Sequence, residues 1–290
     1  MLCLASLETV LPQPEPPKLA SDGLPARLTG AWVHDKNYLA ERYLTIFTRG
    51  VKRKWEGKLT YVDLFSGPGR SIVRDSLEEV SGSPLLALAC DFARYVFVDV
   101  PEVLGILAER LVNHPKRAQI SFVPGDCNDV IESVTQELPR DHLTLAYIDP
   151  TGLQIRFKTI EQLVRGRTID LLMTIQLGMG IRMNLPFYAQ PSGGTVLSEF
   201  IGNESWREDV ALGGSPSQVS RRILDRYRQQ LRMLSYETVE DREIDIRNDK
   251  NLLLYFMILA TRHKLGERFW RETTEILRSG QRFLKLPPGG

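Results

Sequence analysis

Four carboxylates stand at or just past the ends of apolar runs in this chain. Asp63 closes Tyr61-Val62, Asp99 closes Tyr95-Val96-Phe97-Val98, Asp126 follows Ile120-Ser121-Phe122-Val123, and Asp149 closes Leu143 to Ile148. In an open parallel sheet, ligands bind beyond the carboxyl ends of the strands, so these side chains are expected to converge on one crevice. There a carboxylate can accept hydrogen bonds from a pair of ribose hydroxyls, the role expected of Asp99. Asp126 and Asn128 are placed to accept an adenine-type amine. Asp149, with the carbonyl of Pro150, is placed to orient an amine on an acceptor. A plainer role stays open for Asp126 and Asp149, that of helix N-cap. The joint placement of all four favours a site for a nucleoside-bearing ligand.

The segment between the first two of these positions reads Asp63-Leu64-Phe65-Ser66-Gly67-Pro68-Gly69-Arg70. Two glycines after a strand leave backbone N–H groups open to a ligand, because no Cβ intervenes. A third glycine is missing and Pro68 separates the two, so the dinucleotide fingerprint fails. The turn matches the first motif of S-adenosylmethionine-dependent methyltransferases, which implies that Phe65, Gly67, Pro68 and Gly69 hold the cofactor together with Asp63, Asp99, Asp126, Cys127 and Asn128. Arg70 is expected either to face the cofactor carboxylate or to form a surface ion pair. Upstream, Lys36 is a candidate to neutralise a carboxylate or phosphate and His34 a candidate base. Trp32 beside them reads equally well as a core residue.

Other chemistries recede. His34, His114, His142 and His263 have no metal-ligand spacing, and neither a G-x-S-x-G elbow nor a P-loop occurs. No metal is expected.

The elements that must position these residues alternate. Apolar runs at 59–65, 95–100, 118–123, 143–149 and 169–176 are separated by helical patterns at 84–92, 102–111, 129–138 and 159–164. That alternation predicts βαβ units and a parallel sheet covered on both faces. A helix is expected over 31–50. Residues 181–216 carry Pro186, Pro191, Gly193, Gly194, Gly213, Gly214 and Pro216 and read as an inserted lid, continued by a basic amphipathic helix at 217–234. Runs at 236–246 and 251–261 predict an antiparallel pair, followed by a last helix at 265–278. The fold expected is a Rossmann-like α/β sandwich with a mostly parallel seven-stranded sheet and an antiparallel C-terminal strand. Residues 1–30, with five prolines, read as a flexible arm; 31–280 form the domain, with a lid at 181–234, and 281–290 a tail.

The chain has 290 residues, 42% of them hydrophobic, and 37 Lys+Arg against 36 Asp+Glu for a net charge of +1. No global field attracts a polyanion. The charge is uneven, with 8 basic and 4 acidic residues in 31–70, 10 and 15 in 71–170, and 15 and 10 in 217–290. Basic flanks around an acidic centre read first as solvated helix faces and second as suited to a polyanionic substrate. Arg221, Arg222, Arg226 and Arg228 are expected first as a solvated helix face and second as phosphate contacts. The longest apolar run is too short to span a bilayer. Cys3, Cys90 and Cys127 are too few for a disulfide framework, and a cytoplasmic location is expected.

HDKNYLAERYL, YVDLFSGPGR, GSPLLAL, VFVD, GDCND, YIDPTG and NLLLYFMILATRHKLGERFW, in that order over residues 31–275, resemble the three-Cys-motif partner family (TcmP). The resemblance implies a methyltransferase-like fold, S-adenosylmethionine as cofactor, and a partner protein bearing the three-cysteine motif. YVDLFSGPGR with GSPL also resembles ribosomal RNA adenine-N6 methyltransferases, which implies a nucleic acid or nucleotide-like acceptor. Those enzymes carry Asp-Pro-Pro-Tyr where this chain has Asp149-Pro150-Thr151-Gly152, so the stacking aromatic is missing and Phe157, Phe187 or Tyr188 would have to supply it. A fold that keeps the crevice but only docks another protein is the rival expectation. A nicotinamide-dependent oxidoreductase is disfavoured by the absent glycine.

Overall fold

The computed structural model describes residues 18–190, 195–238, 243–248 and 250–278. In chain order the elements are β1 (Arg27–Thr29), α1 (Val33–Val51), β2 (Leu59–Asp63), β3 (Arg70–Val73), β4 (Glu79–Ser81), α2 (Ser83–Leu88), β5 (Arg94–Asp99), α3 (Pro101–Arg110), β6 (Ile120–Pro124), α4 (Cys127–Gln136), β7 (Leu143–Ile148), α5 (Phe157–Val164) and β8 (Thr168–Ile175). They continue with α6 (Leu177–Tyr188), α7 (Thr195–Ile201), α8 (Trp206–Ala211), α9 (Pro216–Met233), β9 (Glu237–Thr238), β10 (Ile244–Arg247), β11 (Leu253–Thr261) and α10 (Lys264–Arg278).

The main sheet runs β10-β11-β8-β7-β2-β5-β6, with β9 also paired to β11. The pairs among β6, β5, β2, β7 and β8 are parallel, whereas β11 lies antiparallel to β8, β9 and β10. In the order of its strands this departs from the dinucleotide-binding sheet by one move: the last strand enters reversed between the fifth and sixth. The result is the mostly parallel, seven-stranded methyltransferase-like sandwich expected from the alternation of runs. Strands β2, β7 and β11 are buried at every position, which explains why they read as continuous apolar runs.

Helix α1 forms because Leu39, Ala40, Tyr43, Leu44, Phe47 and Val51 recur at helical spacing and pack against the sheet with Trp270 and Phe269 of α10. Pro101 opens α3 and Pro216 opens α9, positions where a missing N–H costs nothing. The segment expected as a lid is helical: Pro186 sits within α6, and Ile181, Tyr188, Leu197, Phe200, Ile201 and Trp206 are buried in the same core as α9 and the sheet. Gly178 lets α6 cross β11 closely, since a Cβ there would lie 2.6 Å from the Leu253 carbonyl oxygen.

A second sheet, β1-β3-β4, went unread in the sequence. It changes the reading of the proline arm. Residues 1–17 lie outside the described residues, as does the tail, but residues 18–30 are packed. β1 runs parallel to β3, with Arg27 opposite Ser71 and Thr29 opposite Val73. The side chain of Arg110, 4% exposed, ties this stretch to the glycine turn: it donates to Asp22 Oδ2 at 2.6 Å, to the carbonyls of Leu24 and Pro25 at 3.4 and 3.3 Å, and to that of Pro68.

Candidate functional site

The strand ends of β2, β5, β6 and β7 open on a cavity of about 480 Å³, lined by Leu64, Phe65, Gly67, Pro68, Asp99, Val100, Val103, Ile106, Gly125, Asp126, Cys127, Asp149, Thr151 and Gln154, and by Pro25, Ala26 and Arg27 of the N-terminal stretch. Asp99 is its best-placed carboxylate. Oδ2 accepts from the Gly67 N–H at 2.7 Å and Oδ1 from the Val100 N–H at 2.8 Å, which fixes the carboxylate while leaving lone pairs on both oxygens. Gly67 has φ +62°, and a Cβ built on it meets no atom within 4 Å. The turn therefore leaves room beside its backbone where the cavity lies. Gly69, φ +86°, has a packing reason instead: a Cβ would come 2.8 Å from Leu107 Cδ1.

Asp63 is placed otherwise than expected. It is fully buried and lines no cavity, accepting from the Phe65 N–H at 3.2 Å and the Tyr61 hydroxyl at 3.1 Å, so it supports the turn from behind. Burial pushes its carboxyl up to about 7, against the pull of hydrogen bonds from Ser83, Phe65 and Tyr61. Asp126 is both cavity wall and N-cap of α4, accepting from the Asn128 N–H at 2.8 Å. Asn128 itself points away into a clasp, donating to the Gln154 carbonyl and accepting from the Arg156 N–H and the Thr159 hydroxyl. Burial, reinforced by Asp126 and Asp99, pushes the Cys127 thiol up to about 12, so it lines the cavity as a thiol and not as a nucleophile.

Asp149 stands where two cavities meet. Lys36 Nζ donates to its Oδ2 at 2.5 Å and the Thr174 hydroxyl to its Oδ1 at 2.6 Å. Beyond it lies a second cavity of about 400 Å³, lined by Arg27, Leu28, Thr29, Trp32, Val33, Lys36, Ser71, Arg74, Asp149, Pro150, Thr151, Gln176, Met179, Leu254 and Tyr255. Helix α6 and the residue before it reach this mouth through Met179 and Gln176 alone.

His34 is not brought to either cavity. It faces solvent beside Glu78, 3.5 Å away. The reason is helical phase, since residues two apart point to nearly opposite sides and Lys36 takes the inward one. Arg70 is engaged by Glu79 and by Asp22 at 3.4 Å, the surface ion pair that was the alternative expectation. Phe157 and Tyr188 are buried in the core and Phe187 is half-exposed on α6; none lines a cavity. On α9, Arg221 pairs with Glu243 and Asp245, Arg222 and Arg226 with Asp209, and Arg228 with Asp225 and Glu243. Among the described residues, no cluster of three or more His, Cys, Asp or Glu is arranged to hold a metal, and no helix is long and apolar enough to cross a membrane.

Sequence reasoning missed Arg27, Arg74, Thr151, Gln154 and Tyr255. Val103 and Ile106, three apart on the helix that leaves Asp99, were readable as an apolar wall. Tyr255 sits in an almost wholly apolar strand, where its hydroxyl was the available signal.

Sheet order and crevice together define a methyltransferase-like α/β fold. No family profile and no curated protein sequence matches the chain. Solved structures it resembles include an O-methyltransferase from Bacillus cereus in complex with SAH (9% identity, TM-score 0.46, covering 83% of this chain and 85% of that one). Others are the O-methyltransferase TomG from Streptomyces achromogenes in complex with SAM (9%, 0.44, 79% and 80%) and a protein from Legionella pneumophila (11%, 0.49, 84% and 91%).

Proposed function

We propose that this protein is an S-adenosylmethionine-dependent methyltransferase, and that the first cavity is the cofactor's. One observation carries the reading: Asp99, at the end of β5, is held by the Gly67 and Val100 N–H groups within a cavity of about 480 Å³. That volume suits a ligand of this size. Val100, Val103 and Ile106 offer an apolar wall for a purine, Asp99 accepts from the ribose hydroxyls, Asp126 lies at the base edge, and the open side of Gly67 receives the amino-acid part. Bound there, the cofactor would supply an electrophilic methyl carbon, and the chain's task is to align an acceptor with it and exclude water. Calorimetry of the full chain should show S-adenosylmethionine binding that weakens about tenfold or more in Asp99→Ala, the loss of charge-assisted hydrogen bonds. Unchanged affinity in that variant removes the ribose assignment.

The motif order supports placing the chain with the three-Cys-motif partner family, working beside a partner protein of that kind. The buried free thiols of Cys90 and Cys127 support a reducing location inside the cell. A second reading, a silent fold that docks its partner, is favoured by Asp149, whose two oxygens already accept from Lys36 and Thr174. Transfer of labelled methyl, assayed with and without the partner, separates the two: binding without transfer selects the silent reading.

A further inference from the structure

Beyond Lys36, Asp149 and Pro150, the residues of the second cavity have no role assigned so far, and its charge differs from that of the first. The first is walled by Asp99 and Asp126; the second carries Arg27, Arg74 and Lys36 against the single carboxylate of Asp149. Lys36 and Asp149 neutralise each other, so the surplus resides in the two arginines. Neither guanidinium has a carboxylate within ion-pair distance among the described residues, in contrast to the paired arginines of α9. Both side chains are exposed at the mouth, where the β1–β3 pairing holds their backbones: the Arg74 N–H donates to the Thr29 carbonyl at 2.9 Å.

The rest of the lining mixes apolar side chains with the hydroxyl and amide groups of Thr29, Ser71, Thr151 and Gln176. Trp32 is held firmly against Gly30, where a Cβ would fall 1.9 Å from the indole. Leu28, Val33, Leu254 and Met179 continue the apolar wall. Tyr255 also lines it, 4% exposed, and its hydroxyl has no hydrogen-bond partner among the described residues. A buried hydroxyl without a partner costs free energy that a ligand can restore.

We infer that this second cavity seats the methyl acceptor, and that the acceptor is a small acid: a carboxylate or phosphate on an apolar body that packs on Trp32, with Arg27 and Arg74 on the anion and the Tyr255 hydroxyl on a second polar group. The inference rests on the cofactor reading of the first cavity, because Asp149, Thr151 and Arg27 line both spaces and bring their occupants together. A long polyanion is disfavoured by the near-zero net charge and by the pairing of the α9 arginines with carboxylates.

The test uses the full chain and two probes, phenyl phosphate and phenylacetate, titrated by calorimetry with S-adenosylhomocysteine present. At least one should bind saturably, and comparison of the two distinguishes phosphate from carboxylate. Arg74→Ala should weaken the bound probe about tenfold or more, as expected for loss of a charge-assisted contact. Tyr255→Phe should weaken it severalfold, and benzyl alcohol, which lacks the charge, should bind at least tenfold more weakly. Affinity for S-adenosylhomocysteine should be unchanged in Arg74→Ala, since Arg74 does not line the first cavity. Failure of both probes to bind, or equal affinity in Arg74→Ala, overturns the inference, and so does an RNA oligomer that displaces the probe and binds more tightly. If the probes bind through Arg74 while S-adenosylhomocysteine does not bind at all, the anion site stands and the cofactor reading falls.

Discussion

Lys36 Nζ donates to Asp149 Oδ2 at 2.5 Å, joining the first turn of α1 to the end of β7 across 113 residues of sequence. Their side chains are 19% and 12% exposed, so the pair is neither a surface bridge nor a fully buried one. It fixes the boundary between the two cavities.

Removing the cation leaves a half-buried carboxylate with Thr174 alone. Lys36→Met should therefore destabilise the protein by about 2 kcal/mol, between the values typical of exposed and buried pairs. Thermal denaturation checks this, and Lys36→Met with Asp149→Asn should recover part of the loss.

Arg110 ties residues 22–25 to the glycine turn, with Arg70 the one other cation the structure places within ion-pair distance of Asp22 among the described residues. Arg110→Ala should release residues 18–30 while the main sheet stays folded. Hydrogen exchange and limited proteolysis would then map increased opening to that stretch alone. An unchanged protection pattern would show that the β1–β3 pairing holds it unaided. Arg110 also holds the Asp22 carboxyl at about 2, so protonating Asp22 in strong acid should mimic the substitution in part.

The raised value of Asp63 gives stability a pH dependence. Its carboxyl titrates near 3.8 in the unfolded chain and at about 7 when buried, so the folded protein holds the proton more tightly. The contribution is fully present below pH about 4 and is lost as pH rises through about 7, by on the order of 4 kcal/mol. Asp170, buried beside Thr261 and raised to about 6, adds in the same direction. Asp63→Asn should flatten the slope of unfolding free energy against pH between 4 and 7, as measured by denaturant titration.

At Gly67 a side chain meets two obstacles, a positive φ and the space a ligand would use. Gly67→Ala should cost about 1 kcal/mol of stability and should weaken S-adenosylmethionine binding by more than that strain accounts for. Calorimetry and thermal denaturation of the same preparation separate the two effects.

Much of the fold was legible because β2, β5 and β7 are largely buried and so appear as mostly apolar runs that end at or just before an aspartate. Asp99 and Asp149 could be placed for the same reason: a strand end fixes where its next residue lies. Residues 18–30 were not legible, since the groups that hold them lie far along the chain: Arg110, more than 80 residues away, and the β3 strand and Glu79 about 45 to 60 residues on. His34 misled because sequence proximity to Lys36 hides the angle between neighbours on a helix. The ion pairs of the α9 arginines were not legible because, apart from Asp225 beside Arg228, their partners Asp209, Glu243 and Asp245 lie 13 or more residues away. Arg74 had no signal of its own.

Arg27, Asp149 and Thr151 form a party wall between the two chambers, and such a wall cannot respond to one tenant without the other registering it. Whatever shift in these side chains an occupant of one chamber induces changes the free energy of the vacancy next door, and thermodynamic reciprocity makes the effect equal in both directions. Order of addition and inhibition by the spent product would then be properties of three shared residues, and not of either compartment alone.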